Sequence, residues 1–263
     1  RSRASFLVYA LIKDDALRMR AGTYTLSPYP LFRIEQALVA GGDSVRIVIT
    51  EGWSIKEIYS YLTREKISSP EKFIQLTGQN GIGLFKKSFP FLDTIPLSEN
   101  LEGFLFPDTY AVLRTMPAED IIKRILRNFD GKLTNQLREE ILRQQKTIYQ
   151  IVTMASLIEK EVASDEDRAI LSGILWKRLS LGIPLQVDAT ITYIKKQQKI
   201  PANPGGKISI ADTKIDSPHN TYTHAGLPVG PIGNPGLSAI KAAIFPTPSP
   251  YFYYLSTLEG KTI

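Results

Sequence analysis

The 263-residue chain contains no cysteine, which excludes disulfides, thiolate zinc sites and cysteine nucleophiles. That absence alone does not fix a compartment. No stretch approaches the roughly 20 apolar residues of a membrane span. The longest apolar run near the start, Phe6 to Ile12, is short and reads as part of a buried helix. Histidine is scarce: His219 and His224 are the two in the chain, no acidic residue lies between them, and their spacing matches no zinc pattern, so no metal is expected. A concentrated basic patch is also missing. The net charge of +6, from 32 Lys+Arg against 26 Asp+Glu, is spread along the chain, and no nucleic-acid motif accompanies it. Such mild positive charge suits a protein working beside anionic polymers or lipid headgroups. The chain begins at Arg1 rather than Met, as a trimmed piece of a longer protein would.

With 43% hydrophobic and 22% charged residues, the chain can bury a core as one large domain or two smaller ones. Its organising stretch is Ile148 to Val162, IYQIVTMASLIEKEV, free of Gly and Pro. At 100° per residue, Ile148, Val152, Ala155, Glu159 and Val162 fall on one stripe, with Glu159 among apolar neighbours. Glu161 points to nearly the opposite side. A carboxyl on an apolar face resists ionisation and can serve as a general acid near neutral pH. The plainer reading of Glu159 is a core-edge acid paired with Lys160 or Arg168.

Around this helix the pattern alternates strands and helices. Residues 4–20 read as a helix, 23–26 as a strand, and 31–39 as a helix. Val45 to Thr50 reads as a strand, followed by a helix from Ile55 to Leu62 with Ser54 and Glu57 as a capping box. The two strand–turn–helix units suggest small α/β repeats. Residues 68–98, punctuated by Gly, Phe and Pro, read as short helices and loops and as a domain boundary. Leu101 to Tyr110, LEGFLFPDTY, reads as irregular: either a connector plugging the core, or a cleft wall where Phe104 or Tyr110 stacks on a sugar ring. Residues 118–143 read as charged helices. Ser164 caps a further helix, Arg168 to Leu181. Leu185 to Thr190 begins a strand or turn, with Gln186 and Asp188 on one side by alternation. Lys195 to Lys207 reads as a loop. Ser217 to Gly236 is dense in Pro, Gly, Asn and Thr, the signature of a functional loop. A helix from Leu237 to Ile244 and an aromatic strand within Pro246 to Leu255 close the pattern.

Together LEGFLFPDTY, ASLIEKEV, RLSLGIPLQVDATITY and SPHNTYTHAGLPVGPIGNPGLSAIKAA, in this order, resemble the YceG-like endolytic murein transglycosylases. AGTYTL and TEGWSIKEI resemble the LysM-like region that precedes that family's catalytic domain. The resemblance implies an α+β fold with a small LysM-like α/β region over residues 1–98 and a mixed α+β catalytic domain over residues 99–263. It implies an enzyme that needs no cofactor and cuts the MurNAc-β-1,4-GlcNAc bond within glycan strands, leaving 1,6-anhydro ends and limiting strand length. It places the protein in the cytoplasmic membrane by one N-terminal span outside this sequence, with the catalytic domain extracytoplasmic, and makes peptidoglycan strands and cell-wall synthases its partners. The family's catalytic glutamate is carried onto Glu159. Gln186, Asp188, Asn220, Tyr222 and Glu102 become candidate substrate-binding residues. His219 departs from the family, which often has Tyr there. Two rival readings stand beside this one. One is a non-catalytic wall-binding scaffold. The other is a muramidase pairing Glu159 with Glu102 or Asp188.

Overall fold

The computed structural model describes residues 34, 38, 44–67, 69–96 and 98–254. The helix expected over 4–20 and the strand over 23–26 lie outside these. Of the helix expected over 31–39, positions 34 and 38 are described, and both are helical.

The architecture is α+β, and its described strands form a single two-stranded sheet. β1 (Ser44–Val48) pairs antiparallel with β2 (Thr109–Leu113), Ile47 opposite Tyr110. Both strands alternate, with Ile47, Tyr110 and Val112 turned to the core. A strand at 109–113 was not expected from the sequence. The segment before it is the apolar plug: Leu101, Phe104, Leu105 and Phe106 are buried. Phe104 at 0% exposure and Tyr110 at 5% offer no face to a sugar, so the cleft-wall reading of these rings is corrected. Their stacking is internal. Phe104 lies against Phe91, Phe129 and Tyr149.

Helix α1 (Ile55–Arg64) opens with the expected Ser54–Glu57 capping box. Short helices α2 (Pro70–Thr77) and α3 (Ile82–Lys86) follow, then α4 (Ala118–Lys132) and α5 (Asn135–Arg143). Helix α6 (Ile148–Glu161) begins with a second capping box, Thr147 with Gln150. It packs against α5, α7 (Asp165–Ser180), α8 (Asp188–Gln198) and α9 (Leu237–Ile244). Every residue from Ile151 to Ile158 is buried. Over these eight positions the helix has no solvent face, while Gln150 before them and Lys160 after them are exposed. The wheel argument assumed one buried stripe. Here both glutamates of the last turn meet protein, each on a different side.

The expected strand at 185–190 is instead the approach to α8. Val187 is its extended N-cap, and Thr190 Oγ1 donates to the Val187 carbonyl at 2.7 Å. Gln186 is left-handed at φ 54°, so strand alternation does not apply to Gln186 and Asp188. Residues 250–254 form no strand. They are a strap held to α7 by Lys177 Nζ, which donates to the carbonyls of Ser249 and Pro250 at 3.1 and 2.8 Å.

One apolar core runs from Ile47 to Ile244. Residues on both sides of position 98 contribute to it, and the sheet joins them. Two further cross-links tie the chain's early loop to its late one. Gly52 N–H donates to the Asn234 carbonyl at 2.7 Å, and Asn234 N–H to the Trp53 carbonyl at 2.8 Å.

Candidate active site

The last turn of α6 carries Glu159 and Glu161 in different surroundings. Glu159 is closed in. Its side chain is 5% exposed, and Oε1 accepts from Arg168 Nη2 at 2.6 Å, where Arg168 is itself 9% exposed. Oε2 accepts from the Gly236 N–H at 2.9 Å, at the start of α9. Burial pushes the Glu159 carboxyl up, against the opposing pull of the Gly236 bond and the Arg168 guanidinium, with Glu51 adding a like charge. Both oxygens are hydrogen-bonded, and Glu159 is not among the residues lining the two clefts described below. The apolar stripe located a buried acid, and that acid is paired with Arg168.

Glu161 opens onto space. It lines a cleft of about 450 Å³ between α1 and α8. It also lines a second cleft, about 280 Å³, on the side of the C-terminal strap. Asp188 borders both as well. Glu161 Oε2 accepts from Tyr254 Oη at 3.0 Å, and Oε1 accepts more loosely from Ala189 N–H at 3.3 Å. Burial pushes its carboxyl up, the Tyr254 and Ala189 bonds pull it down, and the nearby Asp188 charge pushes up again. Glu161 is largely buried, like Glu159, but an acid with a raised pKa bordering two clefts is equipped to hold and release a proton.

Three of the expected binding residues gather here. Asp188 starts α8 and accepts a short hydrogen bond from the Tyr222 hydroxyl. Gln186 Oε1 accepts from Arg178 Nη2 at 2.7 Å, and its backbone N–H is anchored to the Thr221 carbonyl at 3.0 Å. Both Gln186 and Tyr222 line the second cleft.

The other two do not reach it. Asn220 is 0% exposed. Its Nδ2 donates to the carbonyls of Thr213 and Ile215, and its Oδ1 accepts from Tyr222 N–H at 2.9 Å. It folds the loop and cannot touch a glycan. Glu102 is buried behind the first cleft. It accepts from Ile55 N–H at 2.9 Å, from Asn234 Nδ2 at 3.1 Å and from Tyr193 Oη at 3.5 Å. Burial pushes its carboxyl up to about 8. It belongs to the core that supports the cleft wall. His219 packs against Tyr193, with ring centroids 5.1 Å apart, and burial lowers its pKa to about 4. No group of ligands able to hold a metal occurs among the described residues.

Sequence reasoning passed over Arg178 and Asn234, and gave Glu161 no role. Arg178 is buried in α7 and joins the Pro184 and Phe252 carbonyls to Gln186. Asn234 is fully buried and also accepts from Leu105 N–H at 2.7 Å. Neither carries a periodic signal; the dense GNPG turn was the one available hint of Asn234. Glu161 was set aside because the wheel faced it away from the stripe.

An α+β frame holding an open, carboxylate-lined groove around the end of a central helix defines the class. The family comparison then fixes the place within it. The chain belongs to the YceG-like family, whose pattern matches residues 1–263. A Bacillus subtilis protein named endolytic murein transglycosylase is 32% identical, over 100% of this chain and 74% of its own length. A Streptococcus pneumoniae (strain D39) protein of the same name is 31% identical over 82% of the chain, and the alignment spans 41% of that longer protein. A crystal structure of a yceG-like protein from Listeria monocytogenes superposes with a TM-score of 0.70 at 28% identity, covering 100% of this chain and 87% of that one.

Proposed function

We propose that the chain is a lytic transglycosylase acting on peptidoglycan, and that the last turn of α6 supplies its acid from two candidates, Glu159, onto which the family resemblance carries the role, and Glu161. The observation that brings in Glu161 is that it borders both clefts beside Asp188; both carboxyls are hydrogen-bonded, Glu159 to Arg168 and Gly236 and Glu161 to Tyr254 and Ala189. The names of the relatives support the substrate.

With Glu161 as the acid, the MurNAc-β-1,4-GlcNAc bond of an internal sugar pair lies over its carboxyl. The protonated carboxyl gives its proton to the glycosidic oxygen as the bond to the muramic C1 breaks. The sugar's own 6-hydroxyl attacks C1, and its proton passes to the Glu161 carboxylate, restoring the acid. The product ends in 1,6-anhydro-MurNAc, and no water is consumed. A tethered nucleophile needs one carboxyl where a hydrolase needs two. Asp188, held by Tyr222, lies where a negative charge would favour the oxocarbenium-like centre. Gln186 is presented to bind an acetamido or hydroxyl group.

The same reading extends to the whole protein. Residues 1–98 act as a LysM-like glycan-holding region, supported by the β1–α1 unit, which also lends Ser54, Lys56 and Glu57 to the larger cleft, and residues 99–263 act as the catalytic domain that shares its core. An N-terminal span outside this sequence holds the protein in the cytoplasmic membrane with the catalytic domain outside, where it limits the length of strands made by cell-wall synthases.

Mass spectrometry of strands incubated with the protein, with Glu159→Gln and with Glu161→Gln tests the chemistry. Anhydro ends are expected from the unsubstituted protein, and the variant that yields none identifies the acid. A second reading rests on Asp188 sharing both clefts: a two-carboxylate muramidase, which would leave reducing ends. A protein that binds strands and cuts none would be a scaffold.

A further inference from the structure

The larger cleft has two chemically unlike ends. At one end, where α6 meets the start of α8, lie Glu161 and Asp188. Along the cleft-facing side of α8 come Thr192 and then Lys196, two helical turns beyond Asp188. Across the groove α1 contributes Lys56 and Glu57, and α6 adds Lys160. All three lysines are exposed. Lys196 meets Glu57 at 2.9 Å, and Lys56 Nζ donates to the Gln197 carbonyl at 3.2 Å, which holds both ammonium groups at the far end. Glu57 offsets one of the three charges, because its carboxylate is also held by Ser54 N–H at 2.8 Å in the capping box. The lining as a whole sets Lys56, Lys160 and Lys196 against Glu57, Glu161 and Asp188; with Lys196 paired to Glu57, Lys56 and Lys160 are the lining lysines in no ion pair among the described residues.

A strand stripped of its peptides keeps a lactyl carboxylate on each muramic ring, held close to the sugar. With the peptide attached, that carboxylate becomes an amide, and the carboxylates of the stem lie further along the peptide, within reach of the far end of the groove. The rise of α8 separates Asp188 from Lys196 by about 12 Å. An extended peptide covers that span with three or four residues at about 3.3–3.6 Å each. We infer that the larger cleft receives the acidic peptide stem of the muramic residue, with Lys56 and Lys160 pairing its carboxylates beside the Lys196–Glu57 pair. The site thereby distinguishes stem-bearing from stem-free strands. Ion pairs with carboxylates are stronger and more directional than neutral contacts, which makes the lysines determinants of specificity. This inference rests on the proposed action on peptidoglycan.

Binding separates it from that action. The less active of the Glu159→Gln and Glu161→Gln proteins, which is expected to bind without turnover, is titrated calorimetrically with short glycan strands carrying tetrapeptide stems. The same strands stripped of stems by an amidase form the second arm. Stem-bearing strands are expected to bind about tenfold more tightly, an advantage that shrinks with added salt. In the Lys56→Gln/Lys160→Gln background the ratio of the two dissociation constants is expected to fall to about one. Circular dichroism checks that the substituted proteins remain folded. Equal binding of both strands, or a preference that survives the double substitution, would overturn the inference. Failure of the catalytic reading shows elsewhere, as missing anhydro ends in the cleavage assay, and leaves this ratio measurable.

Discussion

The two glutamates of α6 can be told apart by paired substitutions. Glu159→Gln keeps the side-chain shape and an acceptor for the Gly236 N–H but removes the charge facing Arg168. Arg168 is 9% exposed, and its buried Nε has no hydrogen-bond partner among the described residues. It also meets Asp165, 3.4 Å away and 82% exposed. Stripping one member from a buried pair costs about 3–5 kcal/mol, but the raised Glu159 carboxyl shows that burial already offsets most of what the pair contributes, so about 1 kcal/mol is expected here. For a chain of this size, about 1 kcal/mol lowers the melting temperature by roughly 2–4 °C. Glu161→Gln acts the other way. Losing a general acid costs about 10²–10⁴ in rate, or about 3–5 kcal/mol of barrier. Stability follows a different course. A carboxyl raised above its unfolded pKa destabilises the fold once ionised, and the penalty grows as pH rises from the unfolded value through the folded one. Glu161→Gln should therefore match the unsubstituted protein in melts at pH 4 and equal or exceed it at pH 8. Thermal melts at both pH values, run beside product analysis at 20 °C, read both effects. An inactive Glu159→Gln protein with an unchanged melting temperature, alongside an active Glu161→Gln protein, would refute the reasoning for Glu161 and assign the acid to Glu159.

Asn220→Ala removes an amide that satisfies three backbone groups in a fully buried loop. A loss of about 2–3 kcal/mol is expected in urea unfolding, with weaker glycan binding as Tyr222 loses its anchor. Glu102, pushed up to about 8, makes stability fall with pH between its unfolded value near 4.5 and about 8, at up to about 1.4 kcal/mol per pH unit. Glu102→Gln should flatten that slope in denaturation measured from pH 5 to 9. Gly103 has φ +89°, and an added Cβ would lie 2.6 Å from Pro231 Cγ and Val152 Cγ1. Gly103→Ala should cost more than about 1–3 kcal/mol, read as a lower denaturation midpoint.

Much of this was legible in the sequence where one local rule decided the outcome. The Ser54 cap, the helix from Leu237 to Ile244 and the irregular loop before it follow from caps, periodicity and Gly/Pro density. Misreadings arose where neighbours decide. The β-branched residues Val187, Thr190 and Ile191 favour a strand, yet they lead into and build α8, because burial beneath the Thr221 loop outweighs propensity. β2 needed β1 as its partner, some 60 positions away, and five residues show no pattern of their own. The same limit governs the site. A wheel describes one helix against one core, and α6 has packed neighbours on several sides. Which glutamate meets open space depends on α8 and on Tyr254, neither of which a window around Glu161 contains. Asn220 and Glu102 were recognised as unusual polar residues, but only burial shows that their partners are the protein's own backbone and core.

The junction of Gly52 and Trp53 with Asn234 also bears on the order of events when the chain folds. The backbone hydrogen bonds there join positions about 180 residues apart, and Glu159 obtains its N–H partner from Gly236 in the same turn. A ribosome that has released α6 and α8 has therefore produced both glutamates but not the corner that braces Glu159. Closing so large a loop adds little entropy per extra residue, yet it must wait for the last segment to arrive. The groove is thus completed late, when residues 232–236 dock. A chain arrested or clipped before that point would carry every candidate catalytic side chain except those of the strap, and still lack a finished site.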